Sequence, residues 1–278
     1  MERIFPVQFT KMNGTGNDFV VIDHRDRRIP VDRQAEFSRK VCRRMFSAGA
    51  DGVILIEASE SADFGWQFYN SDGSVAEMCG NGARCAARFA YRLGIAGRRM
   101  HFATVAGIIE AEICAEEEVR LRMTDPFAFK DNLTLELDGK AHQAAYLNTG
   151  VPHAVVIVND DNAPVKKWGR EIRFHPMFAP EGANANFVTV RGRGEILART
   201  YERGVEDETR ACGTGAVASA IIASIKTGVA SPVVVQTSGG DRLTIEFDLH
   251  EDGRVENVYL QGPARIVYTG ELTFESLL

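Results

Sequence analysis

The sequence contains no stretch approaching the run of roughly 20 apolar residues that a bilayer-crossing helix needs, so a membrane protein is not expected. Its opening residues, 1–6, carry no apolar core of the secretory kind, which makes the cytoplasm the expected compartment. Basic residues are not in excess: 32 Lys and Arg stand against 38 Asp and Glu, a formal charge of −6. That balance gives no electrostatic footprint for nucleic acid, and no basic amphipathic segment points to a membrane surface. The local cluster from Arg39 to Arg44 reads as a solvated helix face. Cysteines are few, at positions 42, 79, 85, 114 and 212, and none belongs to a CxxC pair. An odd number of widely spaced thiols suits a reducing interior better than a disulfide framework, and the spacing offers no zinc site. Cys42, Cys85 and Cys114 lack glycine-rich surroundings and read as small buried hydrophobes. No lysine stands in a setting that suggests pyridoxal phosphate, so neither metal nor cofactor is expected.

What the sequence does contain is a glycine-flanked thiol, twice. Cys79-Gly80-Asn81-Gly82-Ala83-Arg84 returns 133 positions later as Cys212-Gly213-Thr214-Gly215-Ala216-Val217. In each copy the glycines permit a tight turn and a close approach to a ligand, and an alanine-rich run of helical length follows. Each sulfur is thus expected at a helix start, where unpaired N–H groups and the positive dipole end favour a thiolate and can hold a carboxylate. Three further segment pairs recur at nearly the same offset: Thr15-Gly16 with Thr149-Gly150, Gly49-Ala50 with Gly182-Ala183, and Tyr69 with Tyr201. Four pairs in one order argue for a duplicated domain. The length of 278 residues accommodates two domains of about 130 each, and 45% hydrophobic with 25% charged residues is an ordinary globular composition. Duplication about a pseudo-twofold axis would let the two cysteines flank one cleft.

Strands are predicted over 4–10 and 19–23, around a Gly14-Thr15-Gly16-Asn17 turn, and again over 53–57 and 66–70. A helix is expected over 32–46, with Asp32 as N-cap and Gly49 as its stop. Two more helices are expected over 83–93 and 216–225. The first places Ala83, Ala86, Ala87, Ala90 and Leu93 on packed faces. The second is apolar nearly all round, the mark of a buried helix. The remaining β-like runs, 107–114, 119–123, 155–158, 233–237 and 243–247, are separated by turn residues. The fold class is α+β: two pseudo-symmetric domains, each a curled mixed or antiparallel sheet wrapped around a central helix. Thr124-Asp125-Pro126 is the natural boundary, giving residues 1–124, joined by a C-terminal strand within 264–278, and residues 125–263.

A thiolate opposite a thiol can take a proton from one face of a carbon while the other sulfur returns one to the opposite face, inverting the centre. At an α-carbon this requires the substrate carboxylate to be held on N–H groups that stabilise the charge building on it. The loops Gly80-Asn81-Gly82 and Gly213-Thr214-Gly215 supply such donors.

At this point the chain resembles the diaminopimelate epimerase family over almost its whole length. The resemblance is carried by Met12-Asn13-Gly14-Thr15-Gly16-Asn17-Asp18-Phe19, Asn70-Ser71-Asp72-Gly73-Ser74, Cys79-Gly80-Asn81-Gly82-Ala83-Arg84-Cys85, Gly150-Val151-Pro152-His153, Asn184-Ala185-Asn186-Phe187 and Ala211-Cys212-Gly213-Thr214-Gly215-Ala216. It implies cofactor-independent interconversion of LL- and meso-diaminopimelate, on the route to lysine and cell-wall precursors, often by a homodimer. It further implies Cys79 and Cys212 as the acid/base pair, with His153 and Glu202 tuning the thiols. Substrate contacts would come from the side chains of Asn13, Asn70, Asn184, Glu202 and Arg203 and from the backbone of Gly80, Asn81, Gly213 and Thr214. Taken singly, each asparagine reads as a turn residue, Glu202-Arg203 as a surface pair and His153 as a satisfied core histidine; their coincidence with the motifs reverses those readings. Two departures stand out. Valine at 151 replaces the family's asparagine before Pro-His, and the loop from Gly204 to Glu208 is one residue longer and lacks a glycine. Both border the distal recognition end of the site.

Rival readings are a proline racemase or hydroxyproline epimerase type of enzyme, a non-catalytic amino-acid-binding protein, and a dinucleotide binder suggested by Gly213-Thr214-Gly215-Ala216-Val217-Ala218. The last lacks the acidic residue about 20 positions on.

Overall fold

The computed structural model describes residues 4–278; residues 1–3, part of the opening stretch without a signal core, lie outside them. The chain forms two compact units, one of residues up to Leu121 with Gly262–Leu278, the other of Arg122–Gln261.

The first unit has eight strands: β1 (Val7–Gly14), β2 (Asn17–Asp23), β3 (Gly52–Glu57), β4 (Phe64–Asn70), β5 (Arg99–Thr104), β6 (Gly107–Ile113), β7 (Glu118–Arg122) and β17 (Arg265–Leu272). They lie side by side in the order β17, then β1 to β7. The β2–β3 and β4–β5 steps are parallel and the others antiparallel. A parallel step needs a crossover, and the two helices stand there: α1 (Val31–Val41) joins β2 to β3, and α2 (Gly80–Arg92) joins β4 to β5.

The second unit repeats the plan. β8 (Phe127–Leu137), β9 (Lys140–Asn148), β10 (Pro152–Ile157), β11 (Asn184–Gly192), β12 (Glu195–Glu202), β14 (Val233–Thr237), β15 (Arg242–Leu249) and β16 (Val255–Pro263) follow in order. Parallel steps recur at β10–β11 and β12–β14. They are crossed by α3 (Val165–Arg173) and α4 (Gly213–Thr227), and the short β13 (Asp207–Thr209) pairs with β12. The four recurring segment pairs fall on equivalent elements. They mark the turns after β1 and β9, the entries to β3 and β11, strands β4 and β12, and the starts of α2 and α4.

Why the middle strands are so apolar follows from their place. β2, β3, β10 and β11 have a crossover helix on one side and a central helix on the other. Val20, Val21, Val53, Ile54, Leu55, Val155 and Val156 are accordingly all buried, as continuous hydrophobic runs in two-sided sheets require. At 1.5–3 kcal/mol for each side chain of this size fully buried, such runs are a principal source of stability. Outer strands such as β7 and β14 alternate instead. Strands β1, β2, β3 and β6 all touch α2, and α4 touches β9, β10, β11, β12, β14 and β15. Each sheet curls around its own central helix.

Several sequence expectations need correction. Helix α1 ends at Val41, not 46. Beyond Cys42 the chain turns away, Gly49 has a φ of 65°, and its N–H returns to the Val41 carbonyl at 3.0 Å. Asp32 is not the N-cap, because Pro30 precedes the helix and no side chain caps it. Arg44 is not part of a solvated helix face; it lies 2.6 Å from the Asp18 carboxylate and 2.9 Å from that of Asp51. The two thiol-led helices start three residues earlier than their alanine runs suggest, and α4 continues to Thr227, where Gly228 at φ 73° ends it. Leu93 is exposed as the C-cap of α2. Cys114 is exposed as well, just past the end of β6, whereas Cys42 and Cys85 are buried and burial pushes both thiols up to about 12. Among the described residues no helix is long and apolar enough to cross a membrane.

Candidate functional site

In the first unit the register aligns Asn13 with Asp18, Phe19 with Gly52 and Gly52 with Asn70. Asn13 and Asn70 thus lie at one end of the sheet. Helix α2 starts on Cys79, its N-cap, whose extended backbone lets Sγ accept the Gly82 N–H at 3.5 Å. The first intrahelical bond runs from Ala83 N–H to the Cys79 carbonyl at 2.8 Å, so the N–H groups of Gly80 and Asn81 have no intrahelical acceptor.

The Asn81 side chain is committed inward: it donates to Asn17 Oδ1 at 2.8 Å and accepts from Arg84 Nη2 at 2.8 Å. Arg84 is fully buried and also donates to the Gly80 and Pro263 carbonyls and to the Thr15 hydroxyl. Thr15 and Gly16, both at positive φ, form the two-residue hairpin turn of β1 and β2. A β-branched residue there is strained, and its hydroxyl is engaged with the start of α2. Gly14 has no room for a side chain, since a Cβ would lie 2.6 Å from the Asn81 carbonyl oxygen. Asn70 donates to the Ser74 hydroxyl at 3.0 Å. Turn, strand ends and helix start form one braced frame around Cys79.

In the second unit Cys212 is the N-cap of α4, and its Sγ lies 3.5 Å from the Thr214 hydroxyl. The Thr149 hydroxyl, equivalent by the repeat to that of Thr15, donates to the Thr214 carbonyl at 3.1 Å. A cavity of about 10 Å³, room for roughly one water, lies beside Cys212 among Thr200, Thr209 and Thr237. Asn184 braces this end of the sheet: its amide donates to the Pro152 carbonyl at 3.0 Å and accepts the Arg203 N–H at 2.8 Å. His153 is wholly buried on β10, paired in register with Asn184. Burial, reinforced by the charge of Arg203, lowers it to about 3, so the ring is neutral. The longer loop is the β12–β13 hairpin, in which Glu206 accepts from Arg173 Nε at 3.0 Å and from the Gly204 N–H at 3.1 Å.

Glu202, partly buried at the end of β12, is held above its ordinary value of 4.5 by burial. A carboxyl raised in the folded state contributes stability below its unfolded value and loses it as pH rises through the folded one. Glu202→Gln is accordingly expected to raise the melting temperature at neutral pH and to lose that gain near pH 4. Melting curves of both proteins across pH check this; a gain that is the same at every pH would refute the titration as its cause.

Arg84 and Thr15 around Cys79 in the first unit, and Thr149, Asn186 and Thr200 around Cys212 in the second, do not stand out in the sequence as site residues. All five sit inside the recurring segments, Thr200 in the Thr200-Tyr201-Glu202 that answers Phe68-Tyr69-Asn70, and that position is the only signal they give.

A family model described as diaminopimelate epimerase matches residues 9–128 and 145–267. The chain is 47% identical to a diaminopimelate epimerase of Aquifex aeolicus (strain VF5), an alignment covering 98% of this chain and 99% of that protein. Among solved structures it is similar to a Bacillus anthracis phenazine biosynthesis protein of the PhzF family, with a TM-score of 0.72, 16% identity and coverage of 97% and 99%. It is also similar to a probable proline racemase from Agrobacterium radiobacter K84, with a TM-score of 0.68, 16% identity and coverage of 96% and 93%. At that identity the structural likeness carries the fold alone.

Proposed function

The chain belongs to the diaminopimelate epimerase family, and from that premise we propose that it interconverts LL- and meso-diaminopimelate with Cys79 and Cys212 as the proton-transferring pair. The observation that carries the assignment of residues is the placement of both cysteines as N-caps of topologically equivalent helices.

One sulfur, as thiolate, takes the α-proton. The electron pair of the broken C–H bond stays on the substrate and spreads into its carboxylate, and the other sulfur, as thiol, gives its proton to the opposite face. The carboxylate charge is met by first-turn N–H groups of Gly80, Asn81, Gly213 and Thr214, donors already oriented before reaction. The thiol and thiolate have exchanged roles at the end, so the reverse reaction starts from the opposite isomer. Glu202 and His153 set the polarity around the sulfurs. Asn13, Asn70, Asn184, Glu202 and Arg203 recognise the substrate, Arg203 meeting a carboxylate by charge-assisted hydrogen bonds. In Asn184 one N–H and one lone pair remain for this task. The reading extends to a cytoplasmic homodimer, for which sedimentation of the purified protein is the direct check. Family membership does not favour a proline or hydroxyproline substrate.

The test is incubation of the reduced protein with LL-diaminopimelate in heavy water. Deuterium is expected at the inverted α-carbon of the meso product; folded, reduced protein that forms no meso isomer would overturn the assignment.

A further inference from the structure

We propose that Asn186 is a positioning residue that holds the ring of His153 as its Nε2–H tautomer. The inference rests on the functional reading above only for what His153 does in the reaction; the tautomer itself follows from hydrogen bonding.

The Asn186 amide is fully buried, and each of its atoms has a defined partner. Its Nδ2 lies 3.1 Å from the carbonyl oxygen of Ala154. That oxygen can only accept, so the amide nitrogen and not its oxygen faces it. The same nitrogen lies 3.1 Å from Nδ1 of His153, and its second hydrogen points there. Oδ1, on the other side, accepts the hydroxyl of Thr200 at 2.8 Å. His153 Nδ1 is therefore an acceptor and carries no hydrogen. The hydrogen of the neutral ring is on Nε2, which is buried and makes no hydrogen bond with the described residues. One fixed N–H is left for chemistry.

Comparison of the two units shows that the fold does not require this polar arrangement. In register, Phe19 and Ile54 of the first unit occupy the places of His153 and Asn186, and Phe68 opposes Ile54 as Thr200 opposes Asn186. The same scaffold fills these places with three apolar side chains in one copy and a hydrogen-bonded trio in the other. The trio stands directly against the start of α4: a Cβ on Gly215 would lie 2.6 Å from Asn186 Oδ1, 3.1 Å from Thr200 Oγ1 and 3.2 Å from Cys212 Cβ. Buried polar groups retained where apolar ones suffice elsewhere mark a function. A ring whose proton is assigned by its neighbour is a common device for orienting a histidine.

The experiment is ¹⁵N–¹H NMR of the whole, reduced protein labelled in its histidine rings, near neutral pH, with His153 assigned by its disappearance in His153→Gln. The wild type is expected to show His153 as Nε2–H; an Nδ1–H ring overturns the proposal without recourse to any variant. Asn186→Ala is expected to release the ring into mixed tautomers and lower kcat roughly 10- to 100-fold, with KM little changed. Thr200→Val removes a hydrogen bond from the same amide but leaves its donation to Nδ1. It is expected to keep the Nε2–H tautomer and to lower kcat less than Asn186→Ala does. A ring unaltered in Asn186→Ala, with kcat lowered equally in both variants, would show a structural role and overturn the proposal. Wild-type protein that holds the Nε2–H ring yet does not epimerise diaminopimelate would overturn the functional reading and leave the tautomer assignment supported.

Discussion

Alanine in place of either Cys79 or Cys212 is expected to remove epimerisation, a loss of kcat of at least about 10²–10⁴-fold, the usual worth of a single positioned acid or base. The loss should be nearly complete for each, because inversion needs one group on each face and neither sulfur can serve both. The two variants should nevertheless differ in what they retain. With one thiol left, the isomer whose α-proton faces it can still be deprotonated and can regain a solvent hydrogen on the same face. Each variant is thus expected to exchange deuterium into one isomer, the opposite one in each case, without inverting it. Among the contacts given up are a weak one of Cys79 Sγ with the Gly82 N–H at 3.5 Å and one of Cys212 Sγ with the Thr214 hydroxyl at 3.5 Å. Monitoring exchange and inversion together by NMR, beside a melting curve, separates these effects. Near-normal inversion in either variant would end the two-thiol mechanism.

The equivalent glycines Gly82 and Gly215 are expected to respond in opposite ways to alanine. Both lie in the first turn of a helix, where the change by itself favours the folded state by up to about 1 kcal/mol. At Gly82 the new Cβ would meet Ile54 Cδ1 at 3.3 Å and the rings of Phe19 and Trp66 at 3.6 Å, apolar groups that can yield by a few tenths of an ångström. At Gly215 it would strike Asn186 Oδ1 at 2.6 Å and crowd Cys212 itself. Asn186 is tied on three sides and cannot yield without breaking a buried hydrogen bond. Gly82→Ala should be close to neutral in urea unfolding. Gly215→Ala should lose about 1–3 kcal/mol, as overpacked interiors do, together with much of its turnover. Equal responses at the two sites would mean that the polar trio is as compliant as the apolar one.

How much of this is legible in the sequence depends on the kind of signal. The thiol motifs and the repeat are local and periodic, and they place both sulfurs at helix starts, where the structure has them. The sequence extends helix α1 too far because Met45 and Phe46 continue its apolar rhythm; both are exposed, and the ion pairs of Arg44 with Asp18 and Asp51 accompany the turn away. Helix α3 leaves no clear mark in the sequence, since it buries only Val165, Gly169 and Ile172 among charged residues, too narrow a stripe around a glycine for a periodicity argument. The inward turn of Arg84 is invisible in sequence, where an arginine after Gly-Ala reads as solvent-facing. The His153–Asn186–Thr200 trio was hidden for another reason: its members come from three strands and meet only when the register is known.

Strand β17 carries a consequence for how the protein is made. It pairs with β1, so that Gln8 bonds to Glu271 across 263 positions of sequence. The second unit, continuous from Arg122 to Gln261, has all its strands once those residues leave the ribosome and is free to fold during synthesis. The first unit, although translated before the second, lacks the neighbour of β1 until Arg265–Leu272 emerge. Its opening strand must wait with one edge unpaired, a template for unwanted association. The unit that holds β1 is therefore completed after the unit that follows it in sequence, and the open edge of β1 is a place for association in the meantime.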